Sequence, residues 1–388
     1  MATISMVDAI GEPAMLEMLA EEASELAQAA LKASRVLRGE NPTPVTAAEA
    51  LTHLVEEYTD VVQCALELHM QTDLVQMKNK HDRFGEVMRI ALIDVDGHNF
   101  PNLPLMKLSA WHKRKGDSIE WYDPLTAWIN PPDKVYMSKV FTFTPDYPHP
   151  VNAAEIIRGG TGYTYPSGGD PLPEEIEHIY PDYDLYPDLC KDTAYGFLTR
   201  GCPRGCDFCI VGHKEGRSSR KVADLSEFWA GQKNIVLLDP NMFACRDWKD
   251  LSQQLIASRA WVDFSQGCDI RIMTAEKARY LKEMKIKQIH FAWDRYEDKD
   301  KIVPKFEMFK QQTGWDYRKM SVYVLCGFNT TLEQDLERIY TLRDLGYSPY
   351  VMIYDKYKLS AGSDLKRLQR WVNSRFAFAA VKRFEDYK

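Results

Sequence analysis

The sequence predicts a multidomain protein: an all-α helical N-terminal segment, a small Rossmann-like α/β layer, then a partial (β/α)6 barrel of the TIM type. Three observations carry that expectation. The chain has 388 residues, too many for one ordinary core. Its first part has helical periodicity, which gives way to short apolar strands at Met88. Beyond residue 193, strand and helix patterns alternate regularly.

Residues 1–85 form the helical segment. Stretches 14–38 and 46–70 each read as an amphipathic helix, with Leu16, Leu19, Ala23, Leu26 and Ala30 on one stripe and Leu51, Leu54, Tyr58, Val61 and Ala65 on the other. Between them "GENPTPVTAAEA" supplies a glycine stop, two prolines and Thr46 as a cap, and "DLVQMKNKHDRF" reads as a further short helix. In residues 87–188 the strand candidates are "MRIALIDVD", "SIEWYD", "KVYMSKVFT" and "AEIIRGGTG", with "LMKLSAWHKRKG" as a helix, so a parallel sheet is expected. A surface connector rich in proline and tyrosine leads to the last segment, 193–388. There the strands "YGFLT", "NIVLL", "WVDFS", "KQIHFAW", "MSVYVL" and "YVMIY" are each followed by a helical pattern, the first by "LSEFWAG". Six units fall short of a closed eight-stranded barrel, and the working face should lie at the strands' C-terminal ends.

Composition narrows the function. Hydrophobic content of 45% and charged content of 27% are ordinary for a globular protein, and a net charge of -7 offers no broad footprint for a nucleic-acid backbone. The chain starts with no basic region followed by an apolar run, and it contains no long apolar span, so a cytoplasmic, non-membrane protein is expected. In that compartment clustered cysteines bind metal or do redox work more often than they form bridges.

The cluster in question is "RGCPRGCDFCIVGHKEG", which follows the first strand of the alternating region. Cys202, Cys206 and Cys209 have the spacing C-x3-C-x2-C, and Gly201, Pro203 and Gly205 allow the tight turns that bring three sulfurs together. Three thiolates on an iron-sulfur cube leave one iron open to a further ligand. The bland alternative is a zinc site completed by His213. Cys245 and Cys268 also follow strands and read as packing residues.

The C-x3-C-x-aromatic-C loop after the first strand of a six-unit β/α barrel resembles the core of radical S-adenosylmethionine (radical SAM) enzymes, over residues 193–360. The resemblance implies a 4Fe-4S cluster on Cys202, Cys206 and Cys209, S-adenosylmethionine at the open iron, reductive formation of a 5′-deoxyadenosyl radical, and an electron donor such as flavodoxin or ferredoxin. It places cofactor contacts at Asp239 and Asn241 in "LLDPNMF", at Gln266, Asp269 and Arg271 in "FSQGCDIRI", and at Gly327 and Glu333 in "VLCGFNTTLE". Where the family often has Gly-Gly-Glu after strand two, this chain has only Asp239 and Asn241. The middle layer is similar to the cobalamin-binding layer of some of these enzymes, including a "GGTG" turn. "DVDGHN" puts Asp96 where a ligand histidine would stand, with His98 out of position, so cobalamin is not expected.

The helical segment repeats Glu-Glu-x-x-acid in "EEASEL" and "EEYTDV". Acids at i and i+3 share a helix face, and facing helices would converge Glu22, Glu25, Glu57 and Asp60 at the edges of the two apolar stripes. All-oxygen clusters suit Mg2+ or Mn2+. The paired ExxE and ExxD resemble MazG-like all-α nucleoside triphosphate pyrophosphohydrolases over residues 14–84. That resemblance implies hydrolysis of a nucleoside triphosphate to a monophosphate and pyrophosphate, phosphate contacts from Lys32, Arg35, Lys78 and Lys80, and a homodimer built through the helical domain. The expected protein is thus a bifunctional enzyme whose radical chemistry acts on an unidentified small molecule, and the fusion points to a nucleotide-derived one. The alternative is a radical SAM enzyme whose helical domain is an inert dimerisation module.

Overall fold

The computed structural model describes residues 5–40, 44–77, 87–97 and 99–388. The chain divides into two compact units, residues 1–86 and 87–388, so the α/β layer and the alternating region belong to one unit.

In the first unit a short helix, Met6–Ile10, precedes two long ones, Glu12–Leu37 and Ala47–Glu67, which pack against each other. Thr46 caps the second long helix as expected: its hydroxyl accepts from Glu49 N at 3.2 Å, and Glu49 accepts from Thr46 N at 2.8 Å. Residues 74–77 are helical, and the rest of the predicted short helix lies outside the described residues. The buried stripe matches the predicted one only in part, with Leu19, Leu26, Leu54, Val61 and Ala65 half-buried. Leu16, Ala23, Ala30, Leu51 and Tyr58 are exposed, while Met15, Ala29 and Ala33 on one helix and Ala50 and Cys64 on the other are buried. The pair turns its alanine-rich seam inward, where small side chains let the helices approach, and leaves a second apolar stripe outside. Glu22 and Glu57 therefore sit half-buried near the seam instead of at its edge.

The second unit opens with the expected parallel sheet, in strand order β2-β1-β3-β4, from β1 (Arg89–Asp94), β2 (Ser118–Trp121), β3 (Lys134–Ser138) and β4 (Glu155–Gly159). Both faces of β1 are covered: Ile90 and Leu92 pack with Leu105 and Leu108 of the helix Leu103–Lys115, and Ala91 and Ile93 pack with Val135 and Met137. At the strands' C-terminal ends the Asp96 carboxylate accepts from Val140 N (2.5 Å), Phe141 N (3.3 Å) and Thr144 Oγ1 (2.7 Å), which fixes the loop after β3. The "GGTG" turn packs on the same loop, since a Cβ on Gly160 would stand 2.3 Å from Lys139 O and one on Gly162 2.4 Å from Lys139 Cγ. His98 lies outside the described residues.

All six strands expected after residue 193 are present and parallel to their neighbours, but with a seventh short strand, β10 (Lys285–Ile286), they run in two sheets instead of one. The first has the order β10-β9-β8-β5, from β5 (Thr193–Gly196), β8 (Asn234–Leu237), β9 (Trp261–Phe264) and β10 (Lys285–Ile286). The second has the order β11-β12-β13, from β11 (Ile289–Trp293), β12 (Met320–Cys326) and β13 (Ser348–Ile353). The break falls between β10 and β11, where the amide of Cys268, beyond the end of β9, donates to His290 O at 2.7 Å and takes up a ladder position. The pair β6 (Thr199–Arg200) and β7 (Arg220–Lys221) is antiparallel and closes the cysteine loop at its base. "LSEFWAG" forms only a 3-10 turn, Leu225–Glu227, because its Asp224–Glu227 capping box closes one turn and Phe228 then enters the core. Helices follow the remaining five strands: Trp248–Ser258, Ala275–Glu283, Lys299–Thr313, Leu332–Asp344 and Asp364–Asn373.

Candidate functional site

The cysteine loop is shaped by its glycines and closed by its own backbone. Gly201 has φ +86°, and a Cβ there would stand 2.2 Å from Ser218 O. Cys202 N donates to Gly216 O (3.2 Å), Gly201 N to a Glu215 carboxylate oxygen (3.1 Å) and Cys209 N to Cys206 O (3.0 Å). Gly201→Ala is expected to cost about 1–3 kcal/mol of stability through backbone strain, read as a lowered denaturant midpoint with unchanged slope.

Cys202, Cys206 and Cys209 are free and half-buried. Burial pushes the Cys206 and Cys209 thiols up, and the Arg271 charge works against that shift at Cys206. Among the described residues, the only three or more His, Cys, Asp or Glu side chains whose ligand atoms all lie within 4.8 Å of one another are acidic, so at least one pair of the three cysteine sulfurs stands wider apart than that. A tetrahedral zinc with sulfurs at about 2.3 Å needs them about 3.8 Å apart. His213, the fourth ligand in a zinc reading, is exposed.

Side chains from the C-terminal ends of several strands converge on this loop. After β8, Asn241 is buried; its Nδ2 lies 3.5 Å from Cys202 Sγ and 3.5 Å from Asp269 Oδ2, and its Oδ1 is enclosed with no hydrogen-bond partner. After β9, Asp269 accepts from Arg204, the arginine between the first two cysteines, and from Arg271 Nε at 2.9 Å. The two guanidinium groups outweigh burial and hold the Asp269 carboxyl below its ordinary range. Arg271 continues to Asp298 at 3.4 Å. After β11, Arg295 pairs with Asp207 of the loop at 3.3 Å, and burial raises the Asp294 carboxyl. After β12, Phe328 meets Phe208 edge-on at 5.3 Å between ring centroids. Arg204, Asp294 and Phe328 had no signal in the sequence beyond their places at strand ends and between cysteines.

Other expected contacts fall elsewhere. Both Asp239 oxygens are taken by the chain, accepting from Leu198 N (3.0 Å), Thr199 N (2.5 Å) and Thr199 Oγ1 (2.5 Å), so Asp239 ties β8 to the start of the cysteine loop. Burial raises its pKa to about 6 although these hydrogen bonds oppose it. An unfolded aspartate titrates near ~3.9, so the native state binds more protons between about pH 4 and pH 6. The stabilisation from this carboxyl is complete at low pH and is lost as pH rises through about 6. The denaturant midpoint of wild type relative to Asp239→Asn should accordingly fall between about pH 4 and about pH 7. Gln266 is exposed. Gly327 N donates to Asp335 (3.3 Å) and Thr330 (3.3 Å), while Glu333 is exposed on the first turn of the helix Leu332–Asp344. Asp335 forms a fully buried pair with Arg338 at 2.5 Å, and Arg338 donates to Trp293 O (2.6 Å) and Leu325 O (2.8 Å), locking the ends of β11 and β12 to that helix. Cys245 and Cys268 are buried, and burial raises both thiols.

In the helical unit Glu22, Glu25 and Glu57 place carboxylate oxygens within 4.8 Å of one another. Partial burial is the largest cause raising the Glu22 carboxyl, followed by the charges of Asp60, Glu25 and Glu57, so the fourth acid stands close by. Glu57 is also paired with His53 at 3.1 Å. Lys32 lies two turns, about 10 Å, from Glu25 along the same helix, and Arg35 is exposed near its end. Lys78 and Lys80 lie outside the described residues. No protein-family profile matches this chain, and no curated protein matches it.

Proposed function

We propose that the chain is a bifunctional enzyme, a radical SAM enzyme joined to a metal-dependent nucleoside triphosphate pyrophosphohydrolase. The observation that carries the first half is the convergence of three free cysteines with Asn241, Asp269, Arg204 and Arg271 at strand ends. Two sheets whose strands follow in chain order support a partial barrel. The donor set fits a 4Fe-4S cluster: three free thiols from one loop, which as thiolates leave one iron open. Cys202, Cys206 and Cys209 would hold it, and the chemistry supplied there is one-electron cleavage of S-adenosylmethionine to a 5′-deoxyadenosyl radical, the electron coming from a flavodoxin or ferredoxin. The enclosed, unpartnered Oδ1 of Asn241 is an acceptor for an ammonium group, and Arg271 is suited to a carboxylate. Asp269 orients Arg271, and Phe208 against Phe328 limits water at the loop. Anaerobic reconstitution tests this half: about four irons and four sulfides per chain and release of 5′-deoxyadenosine on reduction are expected.

The second half rests on the converging acids of the helical unit. Like charges that raise the Glu22 carboxyl are relieved by a cation, and oxygen-only donors suit Mg2+ or Mn2+. Bound there, the metal would supply charge neutralisation and a water for attack between the α and β phosphates, with Lys32 and Arg35 as phosphate contacts. The exposed stripe of Leu16, Leu31, Leu51, Val55, Tyr58 and Leu66 supports a homodimer, since two helices alone make a marginal core. The contact of Glu57 with His53, which occupies one of the four acids, favours the second reading, an inert dimerisation module. Pyrophosphate release from a panel of nucleoside triphosphates separates the two.

A further inference from the structure

A row of ion pairs joins the helix Leu103–Lys115 of the α/β layer to the cysteine loop. Lys107, on that helix, has a side chain 12% exposed and donates twice to Glu177, to its backbone oxygen and to its carboxylate at 3.2 Å. The same carboxylate oxygen accepts from one terminal nitrogen of Arg200 at 3.4 Å. The other terminal nitrogen of Arg200 reaches Glu215 at 3.4 Å. The Glu215 side chain is only 8% exposed, and its second oxygen accepts from Gly201 N at 3.1 Å, next to Cys202. Four side chains thus run without a gap from the layer to the first cysteine.

Each link stands on a fixed base. The connector that carries Glu177 is tied to the layer helix at Asp182, which accepts from Ser109 Oγ (2.5 Å) and from Lys113 Nζ (2.6 Å). It is tied to the larger sheet at Tyr183, whose hydroxyl accepts from Tyr195 N of β5 (3.1 Å) and donates to Phe228 O (2.6 Å). The Arg200 guanidinium lies on the Phe197 ring, 3.9 Å from its centroid. At the far end Cys202 N donates to Gly216 O (3.2 Å), so Glu215 and Gly216 grip the turn before the first cysteine together.

The loop needs such support. Its base, the antiparallel pair β6 and β7, has only two residues in each strand and is too short to fix the loop by itself. A loop that must bring three sulfurs to one metal group loses affinity for every freedom it keeps before binding. The row removes that freedom at Cys202, and it does so from a layer that carries none of the cysteines of the loop. Because the members are partly buried, deleting one leaves its neighbours' charges unpaired and loosens the next link.

We propose that Lys107, Glu177, Arg200 and Glu215 are positioning residues through which the α/β layer holds Cys202 in place before a metal group binds. The purpose of that order rests on the cluster reading, but the order itself is measurable in the metal-free chain. The rate at which iodoacetamide alkylates Cys202 in the full chain, mapped by mass spectrometry, measures it, with the fully buried Cys326 as reference. Arg200→Gln and Lys107→Met are expected to speed alkylation of Cys202 at least about threefold and to leave Cys326 unchanged. Charge alone predicts the opposite sign, since removing a cation near a thiol raises its pKa and slows the reaction. Arg200→Lys keeps the charge but spans only one of the two carboxylates, so it should also speed the reaction, and it keeps the test open if Arg200→Gln fails to fold. Combining Lys107→Met with Arg200→Gln should add nothing to Arg200→Gln, because the row is already cut. Unchanged or slower alkylation of Cys202 in Lys107→Met, equal acceleration of Cys326, or additive effects of the two substitutions would overturn the proposal. Anaerobic reconstitution is scored separately: a wild-type chain that takes up no iron would end the cluster reading and leave the alkylation result standing.

Discussion

Cys202→Ala, Cys206→Ala and Cys209→Ala should each abolish reductive cleavage of S-adenosylmethionine, while Cys245→Ala and Cys268→Ala should keep it. The distinction follows from position and exposure. The first three thiols are half-buried on one glycine-shaped loop, beside the Arg271 charge and the unpartnered Oδ1 of Asn241. Cys245 and Cys268 are enclosed, with their thiols raised by burial, and the Cys268 amide is engaged with His290 O. Metal binding requires deprotonation, which burial opposes in both enclosed thiols. Iron and sulfide counts on the reconstituted variants, with 5′-deoxyadenosine measured by chromatography, give the result. A Cys268 variant that lost iron as completely as a Cys206 variant would mean four protein thiolates and no open iron, and the radical reading would fail.

Arg271→Lys offers a finer distinction at the same site. The guanidinium meets Asp269 through Nε at 2.9 Å and Asp298 through a terminal nitrogen at 3.4 Å, a forked geometry that an ammonium cannot reproduce. The variant should keep its full iron content and bind S-adenosylmethionine at least about tenfold more weakly. Equal affinity would leave Arg271 as a brace for Asp269 alone.

The cysteine loop was legible in the sequence because its information is local: three thiols, their glycines and the strand before them lie within one short stretch. The charges around it were not, since the pairing of Arg204 with Asp269 joins positions that only the fold brings together. At the end of β8 the resemblance pointed to both Asp239 and Asn241 but could not decide which one turns back. The free amides of Leu198 and Thr199 claim Asp239 and leave Asn241 facing the cysteines. At β12 the amide of Gly327 has Asp335 as its partner, two residues beyond Glu333, because the helix turns that side chain inward to Arg338. Among the helices the period was clear, but the facing stripe was displaced: each helix carries two apolar stripes, and hydrophobicity alone does not say which one meets its neighbour in the same chain.

That displacement sharpens the expectation for the acidic site, since it moves Glu22 and Glu57 toward the seam between the helices. Glu22→Gln or Asp60→Asn should lower magnesium-dependent pyrophosphate release at least about a hundredfold, because a ligand of the metal is lost while the helix pattern is kept. Without magnesium each variant should be no less stable than wild type, for the amide removes one of the like charges that raise the Glu22 carboxyl. With magnesium at a hundred times its dissociation constant, wild type should gain about 2.7 kcal/mol, a gain the variants should largely lose. Magnesium titrations of thermal unfolding thus report on the site separately from catalysis. A wild-type chain whose unfolding ignores magnesium, together with unchanged hydrolysis in both variants, would leave the four acids as a solvated face and the helical unit as a dimerisation module.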